Sequence, residues 1–300
     1  MASETQTEPE KFDESVLGKI AAAFRDLLST HKGRVSLLLL VPLLLGSLFA
    51  PVIAIHDPTQ TAPQDSFADP GGEYILGTDN FGRDLFSRVL FGGRTSVALG
   101  IASTALGLLF GVPIGILSGY SGGWIDELTM RFMDMLLSIP GLLLALIIVV
   151  ALGPGLVNTV IAIGIVFVPR LARITRSSTL SIKNEEYITA AEARGESSLY
   201  IAFVEILPSV TPEIIVEASI RIGFGILIGT SLSFLGLGTQ PPNPDWGFMI
   251  AQARTTIADS IWYMLWPSLA LGFTILGFNL LGDALRDALD PEVSNKNETL

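Results

Sequence analysis

The sequence predicts an all-α polytopic membrane protein with six transmembrane helices. Three observations carry this: an apolar composition, a set of long uncharged stretches, and basic residues skewed to one side of them. Of 300 residues 49% are hydrophobic and 16% charged, with mean hydropathy +0.55, far from a soluble domain. Uncharged stretches cover residues 35–55, 95–120, 135–169, 222–244 and 261–282. A helix needs about 20 apolar residues to cross the bilayer core. The third stretch is broken by Gly153-Pro154-Gly155 and reads as two spans. With the N-terminus inside, 13 of the 18 basic residues fall in cytoplasmic segments, among them Arg170, Arg173 and Arg176. Arg83, Arg88, Arg94 and Arg254 fall outside, and Arg221 within the fifth span. This bias predicts a multi-pass plasma-membrane protein with both termini cytoplasmic. A cleavable signal peptide is not expected, because some 34 residues, several acidic, precede the first apolar run.

Residues 1–34 form a cytoplasmic N-terminal tail. Its first 11 residues are polar and acidic. Over 12–29, Leu17, Ile20, Phe24, Leu27 and Leu28 recur at helical spacing, as in an interfacial amphipathic helix or a short helix packed on other cytoplasmic parts. The first span covers 35–56. An external segment, 57–94, opens with a Pro/Asp/Gly-rich loop. Phe81, Leu85, Phe86, Val89 and Leu90 then share one helical face, and Asp84 and Arg88 pair at i, i+4. Asp79 or Asn80 is positioned to cap this surface helix and Gly92-Gly93 to end it. A five-helix core spans 95–284, and a cytoplasmic tail covers 285–300.

The spans are more than anchors. Ser103, Gly107, Gly111, Gly115 and Gly119 follow one another at intervals of four, so one face of the second span lacks bulk. Gly225, Gly229 and Ser233 repeat the device in the fifth. Such ladders let helix backbones approach closely. Pro113, Pro140, Pro169 and Pro267 interrupt spans and free carbonyls that neighbours must satisfy. Kinked, close-packed helices suit a pathway that changes shape and equally suit any polytopic bundle. Glu213, Glu217 and Arg221 recur every four residues at the cytoplasmic end of the fifth span. Charges in lipid cost about 2.5–3.5 kcal/mol each at mid-helix, so they pair or line water. They read as a polar strip near an inner gate, or as an Arg221 that snorkels from a span starting at Ile222. Asn279 in the last span is a candidate for a cavity, or for an ordinary interhelical hydrogen bond.

Net charge is −11, with five lysines against thirteen arginines. That excludes polybasic binding to nucleic acid and fits either an acidic tail or adaptation to high salt. No cysteine occurs, and His31 and His56 flank opposite ends of the first span, so no metal site is expected. The chain lacks a phosphate loop, a Gly-x-Ser-x-Gly elbow and an H-E-x-x-H pair, so catalysis and ATP binding by this chain are not expected.

The polar segment 176–208 is the most distinctive. Residues 185–194 are expected to be helical, and Gly195 is suited to the left-handed conformation that ends a helix. Ser197 then caps a second helix with the stripe Leu199, Tyr200, Phe203, Val204 and Leu207, closed by Pro208. A helix–Gly–helix unit of this kind sits in a groove on another protein or packs on itself.

The pattern Ala190-Ala191, Gly195, then Leu207-Pro208 resembles the EAA loop of ABC-importer permeases. Thr189 and Glu205 stand where that loop usually has Glu and Ile. Segments 76–96, 232–250 and 278–291 resemble the dipeptide/oligopeptide/nickel branch, in its DppC/OppC-like subunit. The resemblance implies a type I importer permease fold, with a homologous DppB/OppB-like second permease, two cytoplasmic ATPases that bind ATP and Mg, and an extracellular substrate-binding lipoprotein. By it, Glu186, Tyr187, Ala190, Ala191, Gly195, Leu207 and Pro208 form the ATPase-coupling loop. Arg83, Asp84, Arg88 and Trp246 would face the binding protein. Di- or oligopeptides are the expected cargo, with nickel or another solute as the alternative. An ion-coupled carrier remains the rival class; it would show inverted repeats, and none is visible.

Overall fold

The structure, a computed structural model, describes residues 27–289. The acidic tip, nearly all of the 12–29 helix and the end of the C-terminal tail lie outside them. Helix α1 (His31–Leu48) starts where Thr30 Oγ1 accepts from the Gly33 N–H at 3.0 Å. A one-turn helix, α2 (Ala50–Ile53), follows. The loop after it folds back through isolated bridges Gly71–Tyr74 and Thr78–Asp84, and no strand forms among the described residues.

Helix α3 (Leu85–Ser121) is 37 residues long, about 56 Å at 1.5 Å per residue. That exceeds the roughly 30 Å hydrocarbon core, so the expected surface helix at 81–91 is instead the protruding start of the second span. Asp84 is the cap: its carboxylate accepts from the Ser87 N–H at 2.9 Å. Gly92-Gly93 does not end the helix. A Cβ at Gly92 would stand 3.0 Å from Trp246 Cδ1, and one at Gly93 2.9 Å from Trp246 Cζ2. These glycines admit an indole.

The glycine ladder of α3 packs on helix α6 (Leu156–Ile182). A Cβ at Gly107 would lie 2.8 Å from Phe167 Cβ, at Gly111 2.9 Å from the Val168 carbonyl, and at Gly119 3.0 Å from Thr179 Cβ. At Gly115 it would meet the Ala172 carbonyl at 2.5 Å. Nearer the start of α3 the ladder's side receives the fifth span instead: a Cβ at Gly225 would lie 3.0 Å from Ser103 Oγ, and one at Gly229 would meet Leu99.

The third stretch departs from expectation at both ends. Gly153 (φ 93°) and Gly155 (φ 140°) do form the turn. Before it, Pro140 splits the span into α4 (Gly123–Leu137) and α5 (Gly141–Leu152), bent by 87°. After it, α6 runs straight through Pro169 to Ile182. One lost backbone donor is outweighed there by burial of Phe167, Leu171 and Ala172 against α3. Arg170, Arg173 and Arg176 therefore lie on α6 and not in a loop. Among the described residues five helices are long and apolar enough to cross a membrane, and the bent pair as one span makes six.

Helix α7 (Glu186–Ala193) leads into α8 (Ser198–Phe234), which is π-helical over Ile201–Ile206. Helix α9 (Trp246–Ala253) and helix α10 (Trp262–Leu289) complete the chain. The bundle has two distinct ends. At one, Lys32 pairs with Asp287 at 2.8 Å, and Tyr120 donates to Glu192 at 3.0 Å. At the other, Trp246 Nε1 donates to the Val89 carbonyl at 2.9 Å and Trp266 Nε1 to the Leu76 carbonyl at 3.1 Å.

Candidate functional site: a docking loop and an intramembrane charge belt

The loop end carries a helix–Gly–helix unit seated on α3. Ile188 and Ala191 of α7 and Ile201, Ala202 and Ile206 of the π segment bury against Val112 and Ile116. Gly195 has φ +77°; the Gly195 N–H donates to Glu192 O at 2.9 Å and the Glu196 N–H to Ala191 O at 3.2 Å. These bonds satisfy carbonyls at the end of α7. Ser197 Oγ accepts from the Tyr200 N–H at 3.2 Å and starts the next helix. Arg194 donates to Glu205 at 3.2 Å across the Gly195 bend, so Glu205 ties the two helices to each other. Thr189 is exposed, and its hydroxyl donates to the Glu185 carbonyl at 3.3 Å.

Pro208 does not close the second helix. Its ring crowds the carbonyl four residues back and it has no N–H to give. The wide turns of the π segment immediately before it relieve that crowding, and the helix continues into the span.

Of the expected coupling residues, Ala191 is buried and Leu207 half-buried. Glu186, Tyr187, Ala190, Gly195 and Pro208 are exposed. The outer face adds Leu199 (62% exposed), Val204 (49%), Tyr200 and Phe203. Large apolar side chains on a polar loop mark a surface that another protein covers.

At the far end the structure corrects the expected set. Arg83, Asp84, Arg88 and Trp246 are all buried. Arg88 pairs not with Asp84 but with Asp79, at 3.3 Å, and Arg83 joins the same carboxylate at 2.6 Å. Arg88 also donates to the Pro58 carbonyl at 2.7 Å. A buried guanidinium needs a charge and acceptors around it, so these residues pin the 57–84 loop to α3 and present little surface. Exposed there are Ile75, Phe81, Ile257 and Ile261.

The α8 charges sit on a continuous helix that reaches well back past Arg221. Arg221 Nε donates to Glu217 at 2.7 Å, and its guanidinium stacks 4.9 Å from the Phe224 ring. Arg170 of α6 approaches the same Glu217 at 3.7 Å. Glu213 is exposed and has no ion-pair partner among the described residues. Arg173 pairs with Asp134 of α4, and Arg176 with Asp126. Asn279 stands apart: its Oδ1 would lie 3.6 Å from a Cβ at Gly223. The sequence reading missed Arg170, Asp134 and Asp126. The recurrence of arginine at 170, 173 and 176 was the available signal that the helix continued.

With this geometry in place, comparison with known proteins identifies the class. Residues 111–295 match the family described as the binding-protein-dependent transport system inner membrane component, and the chain belongs to that family. It is an ABC-importer permease, a multi-pass membrane subunit with five or six candidate spans. It is 39% identical over 295 residues to the dipeptide transport system permease protein DppC of Alkalihalophilus pseudofirmus, covering 98% of this chain and 97% of that one. It is 42% identical to the di/tripeptide transport system permease protein DppC of Pseudomonas aeruginosa, covering 86% and 88%. It is 45% identical to the glutathione transport system permease protein GsiD of Pectobacterium atrosepticum, covering 75% of each chain. The fold matches an inward-facing MetNI methionine ABC transporter with TM-score 0.56 and 18% identity, covering 68% of this chain and 97% of that one. Family membership displaces the ion-coupled carrier as a reading.

Proposed function

We propose that the chain forms half of the translocation pathway of an ATP-driven peptide importer. A homologous second permease supplies the other half. Two cytoplasmic ATPases bind ATP and magnesium and dock on the 176–208 segment, and an extracellular substrate-binding lipoprotein delivers cargo to the opposite end. Both termini and the loop lie in the cytoplasm. The observation that carries this reading is the exposed apolar face of Leu199, Tyr200, Phe203 and Val204 on a loop whose other face is firmly seated on α3. Such a unit moves with the span it joins, so closure of the ATPase dimer biases the packing of α3, α6 and α8 between two arrangements. Relatives named for dipeptides, di/tripeptides and glutathione favour peptide over nickel as cargo. At the outer end, the buried Arg83, Asp84, Arg88 and Trp246 hold a platform whose exposed Phe81, Ile257 and Ile261 meet the binding protein.

A crosslinking experiment tests the docking. The chain has no cysteine, so single cysteines at Phe203 and at Ile257 can be introduced without background. The Phe203 position is expected to crosslink to the ATPase subunit and the Ile257 position to the binding protein. The reverse pattern would overturn the assignment of ends.

A further inference from the structure

Charged residues of α4, α6 and α8 meet where these helices approach one another: Arg173 with Asp134, Arg176 with Asp126, and Arg170 with a Glu217 that is bonded to Arg221. Arg170 lies fourteen residues into α6 and Arg221 thirteen residues before the end of α8, so each stands about 20 Å from the outer end, inside the hydrocarbon core. Arg170 is nonetheless 57% exposed on its side chain, as are Arg173 and Asp134 at 55% and 57%. Charges at that depth do not face lipid; they face water or protein. The face that carries them is therefore one that water or a partner chain covers.

These charges divide by how tightly they are held. Glu217 and Arg221 are 7% and 12% exposed, bonded to each other, with Arg221 stacked on Phe224. Arg173 and Asp134 neutralise each other. Two charges remain available: Arg170, held only at 3.7 Å by a carboxylate already bonded to Arg221, and Glu213, which has no ion pair among the described residues. Glu213 lies one helical turn inward of Glu217, a rise of about 6 Å. Arg170 reaches Glu217 from α6, and Glu213 lies about one turn from Glu217 along α8, so a loosely held cation and a free anion flank the same carboxylate. A fully extended dipeptide spans about 7 Å.

We propose that Arg170 and Glu213 form a transit site for a zwitterionic peptide. The C-terminal carboxylate accepts from Arg170, the N-terminal ammonium donates to Glu213, and the amino end leads toward the cytoplasm. The site deepens the peptide-importer reading and rests on it. It also says why a neutral belt suits this cargo: each terminus finds its counter-charge, whereas a bare metal ion meets a cation at every step beside an anion.

The test uses the complete importer with its binding protein in proteoliposomes, reading peptide moved per ATP hydrolysed. Arg170→Gln and Glu213→Gln are each expected to lower that ratio about tenfold, the loss of one charge-assisted hydrogen bond. ATPase stimulation by loaded binding protein should stay at the wild-type level, and Arg170→Lys and Glu213→Asp should restore most transport. With C-amidated peptide the Arg170→Gln effect should vanish while the Glu213→Gln effect persists. Unchanged transport in both Gln variants, or an Arg170→Gln loss that is the same with free and amidated peptide, would overturn the site while leaving the importer intact. A wild-type complex that imports no peptide would overturn the peptide reading itself.

Discussion

Single residues carry the sharpest constraints. Gly195 holds φ +77° with open space around it, so the demand is on the backbone and not on volume. Gly195→Ala is expected to cost about 1 kcal/mol through left-handed strain, seen as a lower melting temperature and weaker substrate-stimulated ATPase activity. Gly195→Asn should be milder, because Asn tolerates that conformation. Asp245 poses a different problem. It caps α9 by accepting from the Phe248 N–H at 3.1 Å, and burial pushes its carboxyl above the usual carboxylate range. The folded state therefore binds this proton more tightly than the unfolded chain. Asp245 should make stability rise as pH falls through its folded pKa, levelling off below its unfolded value near about 3.9. Asp245→Asn keeps an acceptor for the cap without the buried charge. Melting curves between mildly acidic and neutral pH should show a flatter pH dependence for Asn than for wild type, and a lower plateau for Asp245→Ala. At this scale Gly195 was legible in the sequence, since its position after a helical run leaves few other roles. The partner of Arg88 was not: a spacing of four toward Asp84 suggested a helix pair, while the folded loop supplies Asp79 from outside the helix.

Among the elements, the α3–α6 contact depends on absent side chains. Gly111→Leu would drive atoms into Leu171 and the Val168 backbone. Overpacking of this kind costs about 1–3 kcal/mol, so yield and melting temperature in detergent should both fall. Gly272→Ala is the control, because nothing lies within 4 Å of its Cβ. The ladder's existence was readable as a four-residue period, but not its partner, because the period gives a face and no address. Helix ends were read less well. Gly92-Gly93 and Pro208 look like punctuation in the sequence, yet one admits Trp246 and the other follows a π segment. Pro140 is the reverse case: it was read as one interruption among four, and it alone separates two helices, by 87°. Tertiary packing decided each of these, which local chemistry alone does not encode.

For the whole molecule, hydropathy gave the number of spans because lipid demands internally satisfied backbone and tolerates little else. Topology follows from it and is directly measurable. Single cysteines at Thr189 and at Ile75 should react oppositely with a membrane-impermeant thiol reagent added outside intact cells, Ile75 labelled and Thr189 protected. The net charge of −11 is spread over a surface that salt can screen within about 10 Å at 0.1 M. Raising salt should therefore increase the melting temperature of the purified protein. One feature of the fold has a mechanical meaning. Because the π segment carries α8 through Pro208 without a break, the docking loop's second helix and the fifth span form one 37-residue rod. Over a helix about 56 Å long, a tilt of about 5° about one end sweeps the other end by about 5 Å. That far end meets the turn before α6, where the Gly155 N–H donates to the Leu237 carbonyl at 3.1 Å. Under the proposed ATPase docking, a push delivered at Phe203 would travel along this one helix to the contact between Gly155 and Leu237.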